Sequence, residues 1–185
     1  MNKSVIIFGI TGTLGAGKGT IVEYLKEKGF HHYSARDFIT KEIERRGLVV
    51  NRDTMTEVAN DLRSQHGAAY VIESLVQEAE QSGEQGIVES VRTVGEVEVL
   101  KKKGGILISI DADPQTRYER VVKRGSETDK VSYEKFLADE ERESVSDDPA
   151  VQNLRKTASH ADFHITNDGD LHELHRQVDE ILATV

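Results

Sequence analysis

Val5-Ile6-Ile7-Phe8-Gly9-Ile10-Thr11 runs directly into Gly12-Thr13-Leu14-Gly15-Ala16-Gly17-Lys18-Gly19-Thr20, and this junction sets the architecture of the chain. The continuous β-branched and aromatic run Val5 to Phe8 is the mark of a strand buried on both faces of a parallel sheet. Behind the glycine-rich turn, Ile21, Val22 and Leu25 recur at helical spacing until Gly29 stops them. Strand, glycine-rich turn and helix form the context that a phosphate-binding loop requires. Backbone N–H groups must converge on an anion there, and glycine permits both the unusual dihedrals and the close approach. The helix that follows points the positive end of its dipole at the same anion. Lys18 is then placed to reach the outer phosphates of a nucleotide. Gly12 to Thr20 are the candidate nucleotide-binding residues, with Gly19 where the general motif has Ser or Thr.

On either side of the loop the chain alternates strands and helices. Phe30 to Tyr33 reads as a short strand, and Ser34-Ala35-Arg36-Asp37 as a capping box ahead of Phe38, Ile39 and Ile43, with a stop at Gly47. Thr54-Met55-Thr56-Glu57 reads as a second box ahead of Val58, Ala59 and Leu62, and Val71, Ile72, Leu75, Val76 and Ala79 form a further helical stripe. Ile87-Val88 is a short strand before a helix bearing Val94, Val97 and Leu100, which Gly104-Gly105 breaks. Ile106 to Ile110 is a strong strand. Asp113-Pro114 then supplies N-cap and first position of a helix that ends near Arg124-Gly125. Phe163-His164-Ile165 is a last strand, and a helix with Leu171, Leu174, Val178, Ile181 and Leu182 closes the chain. This order predicts an α/β fold, a doubly wound parallel five-stranded sheet with helices on both faces. Residues 1–185 read as a single domain without linker or repeat. Gly125 to Asp148 is densely charged and reads either as a solvated helix with short loops or as a cover over a site.

Composition removes several classes. With 185 residues, 24 Lys and Arg against 33 Asp and Glu give a formal charge of −9, a poor match to the phosphates of long nucleic acids. No cysteine means no disulfide framework, thiol nucleophile or Cys-based zinc site. Apolar stretches fall short of a membrane span, and the N-terminus lacks the pattern of a signal peptide, so a cytoplasmic location is expected with no membrane partner. His172 and His175, three apart on a helix, read as surface residues, and Lys101-Lys102-Lys103 as solvated complements to a helix dipole.

The Gly17-Lys18-Gly19-Thr20 ending resembles that of the P-loop NTPases of the nucleoside monophosphate kinase group, adenylate kinase among them. That resemblance implies ATP and Mg²⁺, the metal held mostly by phosphates and water with Thr20 as a candidate ligand. No Asn-Lys-x-Asp guanine-reading motif is present. Tyr33 to Asp37 lies where adenylate-kinase-like enzymes open their acceptor-binding helices, about residues 34–82 here. This implies substrate contacts from Ser34, Arg36 and Asp37, although capping alone explains Ser34 and Asp37 equally well. The family's next arginine is replaced by Thr40, with Arg36 or Lys41 as substitutes. Ile87-Val88-Glu89-Ser90-Val91-Arg92 is similar to the strand-Asp-Gly-x-Pro-Arg segment of the same group, with Glu89 for Asp and Ser90 for Gly. Arg92 is the implied acceptor-phosphate ligand, and Glu89 a residue that orients metal-bound water.

The same resemblance makes Arg120 and Arg124 the pair at the start of a small helical lid, about residues 125–148, bracketing the transferring group. Arg142 is a further lid candidate for the substrate. Ala161 to Gly169, followed by an amphipathic helix, is similar to the last strand and loop of dephospho-CoA kinases, which implies adenine contacts for Asn167 and Gly169. A plain turn with Asp170 as N-cap explains those two residues as well.

Together these features lead to the expectation of an ATP-dependent phosphotransferase acting on a small phosphorylated acceptor such as a nucleoside monophosphate, with Lys18, Arg92, Arg120 and Arg124 as its cations. Two other readings stay open: transfer to a ribose hydroxyl, as in dephospho-CoA kinases, with Asp37 where that family has its Asp, and a P-loop ATPase or nucleotide-dependent switch without a small-molecule acceptor.

Overall fold

Strand β1 (Ile7–Gly12) lies at the centre of a five-stranded sheet in the order β2-β3-β1-β4-β5, all of it parallel. The computed structural model describes residues 5–125, 132–144 and 153–185, apart from the side chains at 52, 56 and 142–144. The other strands are β2 (His31–Tyr33), β3 (Gly86–Glu89), β4 (Ile106–Asp111) and β5 (Phe163–Thr166). Strand β1 reaches further than its apolar start indicated, because Ile10 and Gly12 pair in register with Ile108 and Ile110 of β4.

Alternation along β1 divides the core. Phe8 and Ile10 face helices α1 (Lys18–Glu27) and α9 (Leu171–Leu182), where Ile21, Leu25, Leu174 and Val178 complete one cluster. Ile7, Val88 and Leu107 face the other side, which is covered by α4 (Tyr70–Ser82) and α5 (Val94–Lys102). Helices α2 (Ala35–Arg45) and α3 (Arg52–His66) pack against α4 in the same cluster. The sheet is thus doubly wound, as the strand–helix alternation predicted. Its chain direction reverses about β1, the crevice where ligands of open α/β sheets bind. Helices α6 (Pro114–Arg124), α7 (Tyr133–Ser144) and α8 (Leu154–Ser159) follow β4, with α7 packed on α6 and α8.

Helix starts follow local chemistry. Ser34 accepts from Asp37 N, Asp113 from Gln115 N and Thr116 N with Pro114 at the first position, and Asp170 from Glu173 N. The second capping box lies a turn earlier than the sequence reading placed it. Asn51, in extended conformation, is the N-cap of α3, and Thr54 is its third residue, with both reciprocal bonds made. The lysine run complements the end of α5 as expected, with Lys102 and Lys103 exposed, and Lys101 also pairs with Asp162 and Lys103 with Glu80 at the surface. His175 is not a plain surface residue, for its ring stacks on Tyr24 at 3.7 Å. No helix among the described residues is long and apolar enough to cross a membrane.

Candidate functional site

The Gly12–Thr20 loop is fixed by close packing from the carboxyl ends of β4 and β5. Gly15 has φ +79°, and a Cβ there would stand 2.5 Å from the Arg117 carbonyl oxygen of α6. Gly17, the N-cap of α1 at φ +107°, leaves room only for the Asn167 amide, onto which a Cβ would fall. Both positions need the left-handed backbone that glycine alone adopts readily. Ala16 is fully buried, Leu14 is exposed, and Thr20 lies exposed in the first turn of α1. Lys18 Nζ donates to the carbonyl oxygens of Gly12 and Thr13, each at 2.8 Å, which holds the ammonium over the loop.

Four residues brace this loop. Asn167, 7% exposed, donates from Nδ2 to the Ala16 carbonyl at 2.7 Å. Thr13 Oγ1 donates to Asp111 at 2.6 Å. Arg117, 2% exposed, donates to the carbonyls of Ala112 at 2.8 Å and Leu14 at 3.4 Å, and forks onto the Glu140 carboxylate of α7. Arg120 donates from Nη2 to the Asn167 carbonyl at 2.9 Å, while its buried Nη1 has no hydrogen-bond partner among the described residues. Arg124, one turn further along α6, is exposed, so the expected pair divides between an inward and an outward arginine. A cavity of about 260 Å³ adjoins the loop, lined in part by Thr13, Ser109, Asp111, Glu140, Leu154 and Arg155.

Across the loop, β3 ends at Glu89 and the chain turns at Ser90, whose φ of +67° is the one positive value at a non-glycine among the described residues. The serine adopts there the conformation for which the related pattern uses glycine. Arg92 follows, half-buried. Its N–H donates to Glu96 at 2.7 Å and its carbonyl accepts from Asn153 N at 3.1 Å. The Glu89 carboxylate is held below the ordinary carboxylate value chiefly by the neighbouring His32 imidazole, with Lys18 and Arg92 adding attraction and burial opposing. Glu96 is pushed up instead, because burial outweighs the N–H groups of Arg92 and Thr93 that bond it.

The other expected positions take different parts. Ser34 serves as the N-cap of α2, and Arg36 and Asp37 are exposed in its first turn. Thr40 is turned towards α3, its hydroxyl 3.7 Å from Met55 Sδ. Asn167 supports the loop backbone, while Gly169 is exposed beside Glu173. The Arg142 side chain and part of the 125–148 segment lie outside the described residues.

Sequence reasoning missed Arg117, Asp111, Glu140 and His32. Only Arg117 carried a local signal, standing four residues before the core residue Val121 on the inward stripe of α6. The hard oxygen donors about the loop include the Thr20 hydroxyl and the carboxylates of Glu89 and Asp111. Among the described residues no group of three or more His, Cys, Asp or Glu could hold a metal ion unaided. That donor set suits Mg²⁺ carried by a polyphosphate and its water shell, rather than a metal caged by protein.

A family model described as an AAA domain matches residues 8–146. The chain is 30% identical to a UPF0200 protein of Methanocaldococcus jannaschii, over 98% of this chain and 91% of that one. It is 29% identical to a UPF0200 protein of Pyrobaculum aerophilum, over 95% and 96%. Among solved structures it is similar to TT1252 from Thermus thermophilus, with a TM-score of 0.66 at 21% identity over 99% of both chains. A shikimate kinase from Bacteroides thetaiotaomicron superposes with a TM-score of 0.59 at 16% identity, covering 97% of this chain and 98% of that one. These likenesses establish a P-loop kinase-like fold.

Proposed function

The chain belongs to the UPF0200 proteins and to the AAA-domain family, and we propose that it is an ATP-dependent phosphotransferase moving the γ-phosphoryl group of Mg-ATP to a small phosphorylated acceptor, with nucleoside monophosphates the first class to try. One observation carries the reading. Strand β3, which ends at Glu89 just ahead of Arg92, pairs with β1, which runs into the loop bearing Lys18, and this supports reading Lys18 as the nucleotide-side cation and Arg92 as the acceptor-side one.

Phosphoryl transfer passes through a loose transition state with charge spread over the equatorial oxygens, so catalysis is positioning plus cationic stabilisation. In this reading Lys18 exchanges its two carbonyl bonds for the outer phosphates, and the loop N–H groups take the rest. Arg92 holds the acceptor phosphate. Arg120 brings to the transferring group an N–H that has no hydrogen-bond partner among the described residues, and Arg124 joins it from the outer end of α6. Thr20 and Glu89 would hold or orient Mg²⁺ and its water, and the ion when bound neutralises phosphate charge. A phosphate acceptor is already anionic, so no side chain need remove a proton. Such a reaction belongs where ATP is abundant, in the cytoplasm.

The test is a split between two variants in an assay of acceptor-dependent ADP formation. Lys18→Met should abolish transfer, whereas Arg92→Ala should lose acceptor-dependent turnover while keeping ATP affinity within about twofold. Equal loss of ATP binding in the Arg92 variant would contradict the role given to it.

A further inference from the structure

His32 belongs to no part of the nucleotide loop, yet the sheet delivers it to Glu89. In the β2–β3 ladder His32 stands opposite Ile87. Tyr33 and Val88 face the α4–α5 side, so His32, Ile87 and Glu89 share the opposite face, where α1 begins with Lys18. His32 Nε2 is 3.3 Å from Glu89 Oε1, and the two side chains are 22% and 24% exposed. Nε2 is buried and makes no hydrogen bond among the described residues, so the Glu89 oxygen at 3.3 Å is a close polar neighbour that a small turn of either side chain would bring into bonding geometry. Glu89 is the last residue of its strand, and Ser90 leaves in the left-handed region before Val91 N bonds the Ile10 carbonyl of β1 at 3.1 Å, so the chain bends just beyond the carboxylate. The groups that face it are His32 from β2, Lys18 from the start of α1 and Arg92 beyond β3.

We propose that His32 is a positioning residue: it aims the Glu89 carboxylate towards the water shell of the nucleotide's Mg²⁺ and so makes the site prefer Mg-ATP over metal-free ATP. The inference rests on the phosphotransferase reading. Aiming needs only an N–H donor at Nε2, which both a neutral imidazole of that tautomer and an imidazolium provide. Groups that orient a carboxylate acting on a metal usually alter metal affinity by about ten- to a hundredfold when removed.

Calorimetric titration of ATP, with Mg²⁺ and separately with EDTA, tests this on wild type, His32→Ala, His32→Gln and Glu89→Gln. His32→Ala should bind metal-free ATP like wild type but lose about tenfold or more in Mg-ATP affinity. His32→Gln, which retains a donor, should recover most of that loss, and Glu89→Gln should behave like His32→Ala. Equal weakening of both nucleotide forms, or no change in either, would overturn the role of His32 and leave the phosphotransferase reading standing. A wild-type protein that binds ATP in neither condition would overturn both.

Discussion

Asn167 Nδ2 donates to the carbonyl of Ala16 at 2.7 Å across a separation of 151 residues, so the loop after the last strand holds the shape of the loop after the first. The same asparagine accepts Arg120 Nη2 on its own carbonyl, which makes it the joint between the phosphate loop and α6. Asn167→Ala would strand a buried carbonyl at a cost of about 1–3 kcal/mol. Differential scanning calorimetry should show the lowered melting temperature, and ATP titration a weaker loop.

Gly17 and Gly19 separate two kinds of glycine in one motif. Gly17 combines φ +107° with the Asn167 amide where a Cβ would go, while a Cβ on Gly19 would meet nothing within 4 Å. Gly17→Ala should destabilise the fold by about 1–3 kcal/mol. Gly19→Ala should be neutral or gain up to about 1 kcal/mol, because alanine favours the helix it starts. Urea unfolding midpoints of the two variants check the contrast.

Arg117 is a buried charge whose carboxylate partner, Glu140, sits on α7, with a second nitrogen–oxygen contact of 2.8 Å in the fork. Glu140→Ala leaves that guanidinium under-compensated and should cost up to about 3 kcal/mol, less than a fully buried pair because Glu140 is part-exposed. Arg117→Met combined with Glu140→Leu should recover most of the loss, since apolar side chains carry no desolvation penalty. A double-mutant cycle in denaturant measures the coupling.

Two carboxylates should give stability slopes of opposite sign with pH. Glu96 is raised by burial above its ordinary 4.5, so its contribution is full below 4.5 and is lost as pH rises through the raised value. Glu89 is lowered by His32, so its contribution is present above 4.5 and lost as pH falls through the lowered value. Unfolding midpoints across acid pH should therefore show the alkaline-side loss reduced in Glu96→Gln and the acid-side loss reduced in Glu89→Gln.

Much of this architecture is legible along the chain because parallel strands and their helices announce themselves locally. Phe8, Ile87 and Ile108 are apolar for the same reason, burial in one sheet layer, and the glycines of the loop form a contiguous motif. The bracing contacts are different in kind. Arg117 to Glu140, His32 to Glu89 and Asn167 to Ala16 join residues far apart in sequence, and no local period marks such pairs. The misplaced capping box shows the same limit at short range. Asn51 and Thr54 are both good cap formers, and only the extended backbone at Asn51 makes it the cap and Thr54 its partner. The lysine run was legible as a surface complement to its helix end, but its partners Asp162 and Glu80 lie far off in the sequence and no local pattern marks them.

Label tracing from γ-³²P-ATP with Mg²⁺ puts the phosphotransferase account to its plainest trial. The acceptor panel would be AMP, CMP, UMP, dTMP, GMP and dephospho-CoA. The account predicts stoichiometric transfer of label to one monophosphate, giving the diphosphate, with little label in inorganic phosphate. Label appearing on dephospho-CoA would replace the phosphate acceptor with a hydroxyl one. Label released only as inorganic phosphate, at a rate no acceptor changes, would contradict transfer and leave a nucleotide-dependent switch.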